Sequence, residues 1–133
     1  MFVSQKRIIR LIFNLNSLDS CRPIFKKHQI ITLSGLFIYK CLLFVKDNEH
    51  LMIKLSDFHD YSTRNSDTLC IPSHTTAKFE TSPVYQAIIL YNHLPAVVKL
   101  LAKKEFKKLV KGELIMKCFY SVKEYLADDR FLV

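Results

Sequence analysis

The sequence predicts a mostly α-helical fold, a small irregular helical bundle that forms one module over residues 1–133. Half of the 133 residues are hydrophobic, including ten Phe and six Tyr, and this share predicts a packed interior rather than disorder. The chain has only two glycines and four prolines, fewer than the many turns of a sandwich or barrel require. A chain of this length is expected to bury one core, and no repeat or linker divides it.

The first predicted helix is amphipathic and runs from Gln5 to Leu15. The apolar residues that recur on one face of this helix are Ile8, Ile9, Ile12 and Phe13, opposite Lys6, Arg7, Arg10 and Asn14. A polar turn over residues 17–20 follows, and Pro23 is expected to open a short second helix.

The third predicted helix begins after Thr32 or Ser34 and ends near Asp47. It is apolar on nearly all sides except at Lys40, which predicts a place in the middle of the fold. Residues 47–80 then lose the helical period and become rich in Asn, Asp, Ser, Thr and His. This change predicts a long polar loop around residues 47–80.

Helical spacing resumes at Ser82 and Pro83, a typical cap and first residue of a helix, and Pro95 ends this helix. A long helix over residues 96–117 is predicted next. Its apolar side carries Phe106, Leu109, Val110 and Leu114, and its other side carries Lys104, Lys107, Lys108 and Lys111. A short helix over residues 122–127 completes the prediction.

The net charge indicates which partners the chain could bind, and the cysteines indicate its cellular compartment. The formal net charge of +8 favours polyanions such as nucleic acid or an acidic membrane surface. The four cysteines lie far apart, with no Cys-x-x-Cys pair and no secretory leader, which predicts reduced thiols in an intracellular, nuclear or cytoplasmic protein. The most apolar run, residues 30–45, contains Lys40 and is shorter than the roughly 20 residues of a spanning helix, so no membrane span is expected.

No motif for catalysis is present. The chain lacks phosphate-binding glycine loops, HExxH and GxSxG, so we expect no catalytic residue and no cofactor. Cys70, His74 and the neighbouring His59 do not supply the paired spacings of a zinc site, so no metal site is expected. Asp128 and Asp129 lack the flanking strands of a polymerase metal hairpin and are expected to end a helix.

Positive charge interleaved with aromatic residues is the remaining signal, because Lys and Arg neutralise phosphates and Tyr stacks on bases. The candidate nucleic-acid-binding residues are Lys6, Arg7, Arg10, Arg22, Lys26, Lys27, Tyr61, Arg64, Lys104, Lys107, Lys108 and Lys111. From these residues alone, nucleic-acid binding and a merely solvated basic surface remain equal alternatives.

Five segments of the chain occur in one order: QKRIIRLIFNL, SCRPIFKKHQIITLSGLFIYKCLLFV, HDYSTRN, SPVYQAIILYNHLP and FKKLVKGELIMKCFYSVKEYL. In this order and at this spacing they resemble the C-terminal part of reverse transcriptases from non-LTR retrotransposons of the jockey-like kind. The resemblance covers nearly the whole chain. Its specificity lies in the combination of CRPIFKK, HxYxTR and SPVYQ with LYNHLP rather than in any single segment.

The resemblance implies that the chain begins around the polymerase thumb and continues into the extension after it. The palm with its paired catalytic aspartates would then precede Met1, in a longer protein of which this chain is a truncated piece. Lys6, Arg7 and Arg10 match the basic thumb helix that holds the template and primer duplex through its phosphates. For residues 59–65 the resemblance implies no chemical role, so structural pins of the loop and nucleic-acid contacts both remain open.

Two glycines depart from the family pattern. Gly35 and Gly112 fall at helical positions where the family more often carries better helix formers. Because glycine inside a helix costs about 1 kcal/mol relative to alanine, both positions predict reduced stability.

The sequence therefore predicts a nucleic-acid-binding accessory segment of a retrotransposon reverse transcriptase, an RNA-directed DNA polymerase, that is catalytically inactive alone. Its expected partners are the phosphate backbone of RNA or DNA and the missing polymerase palm. Two alternatives remain open: a non-functional mobile-element remnant that is merely a soluble helical protein, and an interfacial membrane protein that uses residues 30–45 and their basic neighbours.

Overall fold

The computed structural model describes residues 1–58, 61 and 66–129, and these residues form a mostly helical protein. The helices are α1 (Phe2–Ile12), α2 (Arg22–Lys27), α3 (Leu33–Asn48), α4 (Ala77–Glu80), α5 (Pro83–Asn92), α6 (Ala96–Lys99), α7 (Lys103–Lys117) and α8 (Val122–Leu126). In the described ranges there is no β-strand, only an isolated bridge between Lys54 and Leu69. The predicted helical fold class is confirmed.

The main core forms around α3, which packs against α5 and α7. The inner side of α3 is fully buried at Ile38, Leu42 and Val45. Tyr91 of α5 and Phe106 of α7 meet beside it, with their ring centroids 6.3 Å apart. Burial of these large apolar side chains is the main force that holds the helices together. The central position predicted for α3 is therefore confirmed on one side of the helix.

A smaller core joins the first two helices to the end of α7. It contains Ile9, Cys21, Phe25 and Cys118, all buried. Cys118 follows α7 directly and takes a left-handed conformation with φ of 54°, which turns the chain back after the helix. All four cysteines of the chain are free; three are buried and Cys70 is half-buried.

The orientation predicted for α1 is wrong in part. Ile9 is buried as expected, but Ile8 and Ile12 are 56% and 67% exposed. The Gln5 side chain fixes the rotation of the helix, because it donates to the Ile31 carbonyl at 3.0 Å and accepts from the Leu33 amide at 2.8 Å. Gln5 therefore faces the rest of the fold, whereas Ile8 and Ile12, which periodicity placed on the buried side, face solvent.

The predicted long helix over residues 96–117 is broken in two. Ala102 is extended, with φ of −59° and ψ of 149°, and separates α6 from α7. Val98 of α6 is buried in the main core, and Leu101, which precedes α7, packs against that core. Leu109, expected on the buried side, is instead 39% exposed beside Gly112 in an open groove. Tertiary packing overrides helix propensity here.

The predicted polar loop is present, although it holds short helical turns. Two 3₁₀ turns occur at Glu49–Leu51 and Leu55–Asp57, and α4 lies at its end. The Asn92 side chain anchors the described part of this loop to α5, because it accepts from the Leu69 amide and donates to the Leu69 carbonyl, both at 3.0 Å. Leu69 itself is buried in the main core.

Candidate nucleic-acid interface

The basic side of α7 is the most regular charged surface of the protein. Phe106, Val110 and Leu114 point inward and are fully buried, so the helix has one fixed orientation. The lysines on the other side are Lys104, Lys107, Lys108 and Lys111, and we call them the α7 basic face. Lys107 is half-buried and the other three lysines are exposed.

The lysines of the α7 basic face are not held in ion pairs in the described part of the chain. Over residues 1–58, 61 and 66–129, none of them forms an ion pair or a side-chain hydrogen bond. The nearby Asp47 is held by Lys103, whose Nζ lies 2.6 Å from the carboxylate. The hydrogen bond from Lys103 is the main reason that the pKa of Asp47 lies below its ordinary value, and the charge of Lys107 adds a smaller effect. Lysines of this kind can neutralise phosphates.

The cations of α1 are arranged differently, because two of the three contact the protein itself. The Lys6 Nζ lies 5.0 Å from the Phe2 ring centroid and 5.4 Å from that of Tyr120. Arg10 is half-buried and donates from Nη2 to the Asp19 carbonyl at 3.2 Å. Arg7 is exposed and has no ion pair in the described part of the chain.

The cations of α2 also differ in their surroundings, since Arg22 contacts other parts of the protein and the two lysines face solvent. Arg22 donates to both carboxylate oxygens of Glu124, at 2.8 and 3.0 Å, and its guanidinium lies 4.4 Å from the Tyr120 ring centroid. Both contacts come from the single Nη2 atom of Arg22, and they connect α2 to α8. Lys26 and Lys27 are exposed. Because α2 packs against α7, Lys26 and Lys27 form a second, smaller basic area near the end of α7.

Only Tyr61 can be located among the two loop candidates. Its side chain is 65% exposed. Arg64 lies outside the described residues, as do His59 and Thr63 of the same segment. The alternatives for this segment, structural pins or nucleic-acid contacts, stay open.

A half-buried polar cluster beside α3 was not anticipated from the sequence. Glu49 accepts from Lys54 at 3.3 Å, from Lys46 at 3.5 Å and from the Tyr91 hydroxyl at 3.1 Å. Burial raises the pKa of Glu49, but the hydrogen bond from Lys54 and the charge of Lys46 outweigh it, so the pKa lies below its ordinary value. Burial lowers the pKa of Lys99, which donates to the Asn92 carbonyl at 3.3 Å.

This polar cluster connects elements that are far apart in the chain. Lys46 also donates to the Lys99 carbonyl, so its ammonium closes the gap between α3 and α6. The i, i+3 spacing of Lys46 and Glu49 was a usable signal in the sequence. The contacts with Tyr91 and Lys99 bridge more than forty residues of chain, and no local pattern predicts them.

The aspartates at the end of α8 do not resemble a metal site. Asp128 lies 3.0 Å from the Lys117 Nζ, and no strand precedes it in the described ranges. Within those ranges no group of three His, Cys, Asp or Glu side chains is placed to hold a metal ion. None of the helices described is long and apolar enough to cross a membrane.

Comparisons with protein-family models, with curated proteins and with solved structures found no match to this chain. The resemblance to reverse transcriptases thus rests on the five sequence segments alone. The α7 basic face is observed independently of that resemblance.

Proposed function

We propose that this chain is a nucleic-acid-binding accessory segment of a retrotransposon-type reverse transcriptase and is catalytically inactive by itself. The observation that carries the proposal is the α7 basic face. Its lysines lie one turn apart on a helix whose opposite side is fixed in the core. Charge can therefore be presented to phosphates without any loss of packing.

The geometry favours α7 over α1 as the main contact. Lys6 and Arg10 are half-buried and already contact aromatic rings or carbonyls, whereas three lysines of α7 are exposed and form no ion pair in the described part of the chain. A cation that must first leave an existing partner contributes less to binding. Lys26 and Lys27 of the smaller basic area, and the exposed Arg7 of α1, then supply additional contacts.

The salt dependence of binding tests this proposal. Each lysine that neutralises one phosphate on a duplex contributes about 0.9 to the slope of log affinity against log salt. We expect the triple variant Lys104→Gln, Lys108→Gln, Lys111→Gln to bind unrelated duplexes more weakly and with a slope smaller by about 0.9 per lost contact. Fluorescence anisotropy with several duplexes over a range of salt concentrations gives both quantities.

A control of equal charge separates contact from net charge. Lys40, Lys78 and Lys123 are exposed and lie outside the α7 basic face. The triple glutamine variant of these residues has the same net charge as the α7 variant and should keep the parent salt slope. Equal slopes for the two variants would contradict a phosphate interface on α7 and favour a merely solvated basic surface.

The same proposal holds that the chain performs no polymerisation alone. Two-metal polymerase chemistry needs carboxylates held side by side. In the part of the chain that the structure describes, Asp128 is paired with Lys117 and Asp129 is exposed. Primer-extension assays with Mg²⁺ or Mn²⁺ should give no product above a buffer control, and extension that is lost in Asp128→Ala would overturn this part of the proposal.

A further inference from the structure

One side of α3 is apolar but only half covered. The residues that follow one another along it are Leu33, Leu36, Phe37, Lys40 and Phe44, and we call them the α3 outer face. Leu36, Phe37 and Phe44 are 38%, 40% and 46% exposed. A helix that is hydrophobic all round is normally buried all round. The exposed aromatic rings therefore mark an interaction surface rather than ordinary solvent-facing helix.

Two open grooves lie along the α3 outer face and share Phe37 and Lys40. The first, of about 490 Å³, lies between the beginning of α3, Met1 and Val122. The second, of about 290 Å³, lies between α3 and the beginning of α5 at Val84. Neighbouring apolar grooves on a helix surface fit the side-chain ridge of a second helix.

Lys40 sets the charge that a partner must carry. It is exposed, it has no ion pair in the described residues, and no Asp or Glu lines either groove. The nearest acid along the same side of α3 is Asp47, which Lys103 already holds at 2.6 Å. A complementary partner therefore brings its own carboxylate to Lys40.

We propose that the α3 outer face docks an amphipathic helix of another protein whose apolar stripe carries an acidic residue near its centre. A second copy of this chain fits less well, because a symmetric pair would present the same surface twice and add no unpaired acid. A bilayer also fits less well, because the face is grooved around Phe37 rather than protruding. The proposal is independent of nucleic-acid binding, since α3 and α7 present different surfaces.

A displayed library of helical peptides, randomised on one face, provides the probe. We expect the enriched peptides to have apolar residues at i, i+3 or i+4, and i+7, with Asp or Glu between them. The variant Phe37→Ser, Phe44→Ser should weaken their binding by about tenfold or more, as truncation of central aromatic residues commonly does. Lys40→Glu should weaken acidic peptides by about fivefold and strengthen peptides that carry Lys in place of the acid.

A matched control uses two apolar residues that lie off this surface. Val97 and Leu100 are 76% and 85% exposed, and the variant Val97→Ser, Leu100→Ser should bind the peptides as the parent does. Circular dichroism and thermal melting show whether each variant is folded. The absence of enrichment, or peptides whose binding ignores both Phe37→Ser, Phe44→Ser and Lys40→Glu, would overturn the proposal.

Two further measurements test whether a second copy of this chain or a lipid surface occupies the α3 outer face instead. Sedimentation over a wide concentration range reports self-association, and flotation with phosphatidylcholine vesicles, with and without phosphatidylserine, reports membrane binding. Self-association abolished by Phe37→Ser, Phe44→Ser would replace the proposed partner by a second copy. Vesicle binding abolished by the same variant would replace it by a lipid surface. Monomeric behaviour without flotation is the result that we expect.

Discussion

The two longest helices, α3 and α7, pack against each other yet use the same residue types in opposite ways. Each contains one glycine, and α3 has two lysines where α7 has six. A Cβ atom added to Gly35 of α3 would lie 3.0 Å from the Thr32 Oγ1, whereas one added to Gly112 of α7 would meet nothing within 4 Å. Gly35 is therefore enclosed and Gly112 is open, although both looked like weak points in the sequence.

The lysines show the same contrast. Lys46 of α3 has a side chain only 13% exposed, it contacts Glu49 and the Lys99 carbonyl, and its Nζ lies 5.6 Å from the Phe106 ring centroid. Lys108 of α7 is exposed and unpaired in the described part of the chain. What surrounds a residue, rather than its type, thus decides whether it supports the fold or remains available to a partner.

The largest expected effect comes from Thr32, which locks the beginning of α3. Its buried hydroxyl donates to the Phe119 carbonyl at 2.6 Å and accepts from the Gly35 amide at 3.0 Å. Thr32→Val keeps the shape but removes both hydrogen bonds of the buried hydroxyl, so we expect a loss of about 2–3 kcal/mol in the free energy of unfolding. Urea unfolding measures this loss.

Thr32→Ser is the matched control for that variant, because it keeps the hydroxyl and removes only a methyl group. It should retain most of the stability that Thr32→Val loses. Equal losses in the two variants would show that the methyl group, rather than the hydrogen bonds, fixes the start of α3.

The second prediction concerns Gly35, where helix propensity and packing have opposite signs. Alanine gains about 1 kcal/mol as a better helix former. Its methyl group, however, would crowd the Thr32 Oγ1 at 3.0 Å and the Ile31 Cγ1 at 3.2 Å, and overpacking costs about 1–3 kcal/mol. Because two hydrogen bonds hold Thr32 in place, packing should dominate, and Gly35→Ala should lose up to about 2 kcal/mol in the free energy of unfolding. A more stable variant in urea unfolding would contradict the enclosure of Gly35.

These two positions show what could be predicted from the sequence and what could not. Helical periodicity located most of the inner side of α7, apart from Leu109, and caps such as Ser82 with Pro83 located the start of α5. The interhelical bonds of Thr32 and Gln5 depend on partners far away in the chain, so no local pattern indicated them. The rotation of α1 was missed for this reason.

The candidate site shows the same limit. Spacing alone predicted the lysines of the α7 basic face, because exposure on a helix follows from its buried side. It did not distinguish Lys108 from Arg22, since the pairing of Arg22 with Glu124 joins residues 102 positions apart. Charged residues that contact distant elements cannot be separated from available ones until the fold is known.

The smallest expected effect is at Gly112, and it has the opposite sign to that at Gly35. The position is exposed, helical and without a neighbour within 4 Å, so an alanine meets no obstacle. Gly112→Ala should therefore raise the free energy of unfolding by about 1 kcal/mol, the full difference in helix propensity. Urea unfolding of the two glycine-to-alanine variants should show midpoint concentrations that shift in opposite directions. The slope of the free energy of unfolding against urea concentration should be unchanged in both variants. Shifts of the same sign would mean that propensity or crowding governs both helices alike, and the contrast between α3 and α7 would fail.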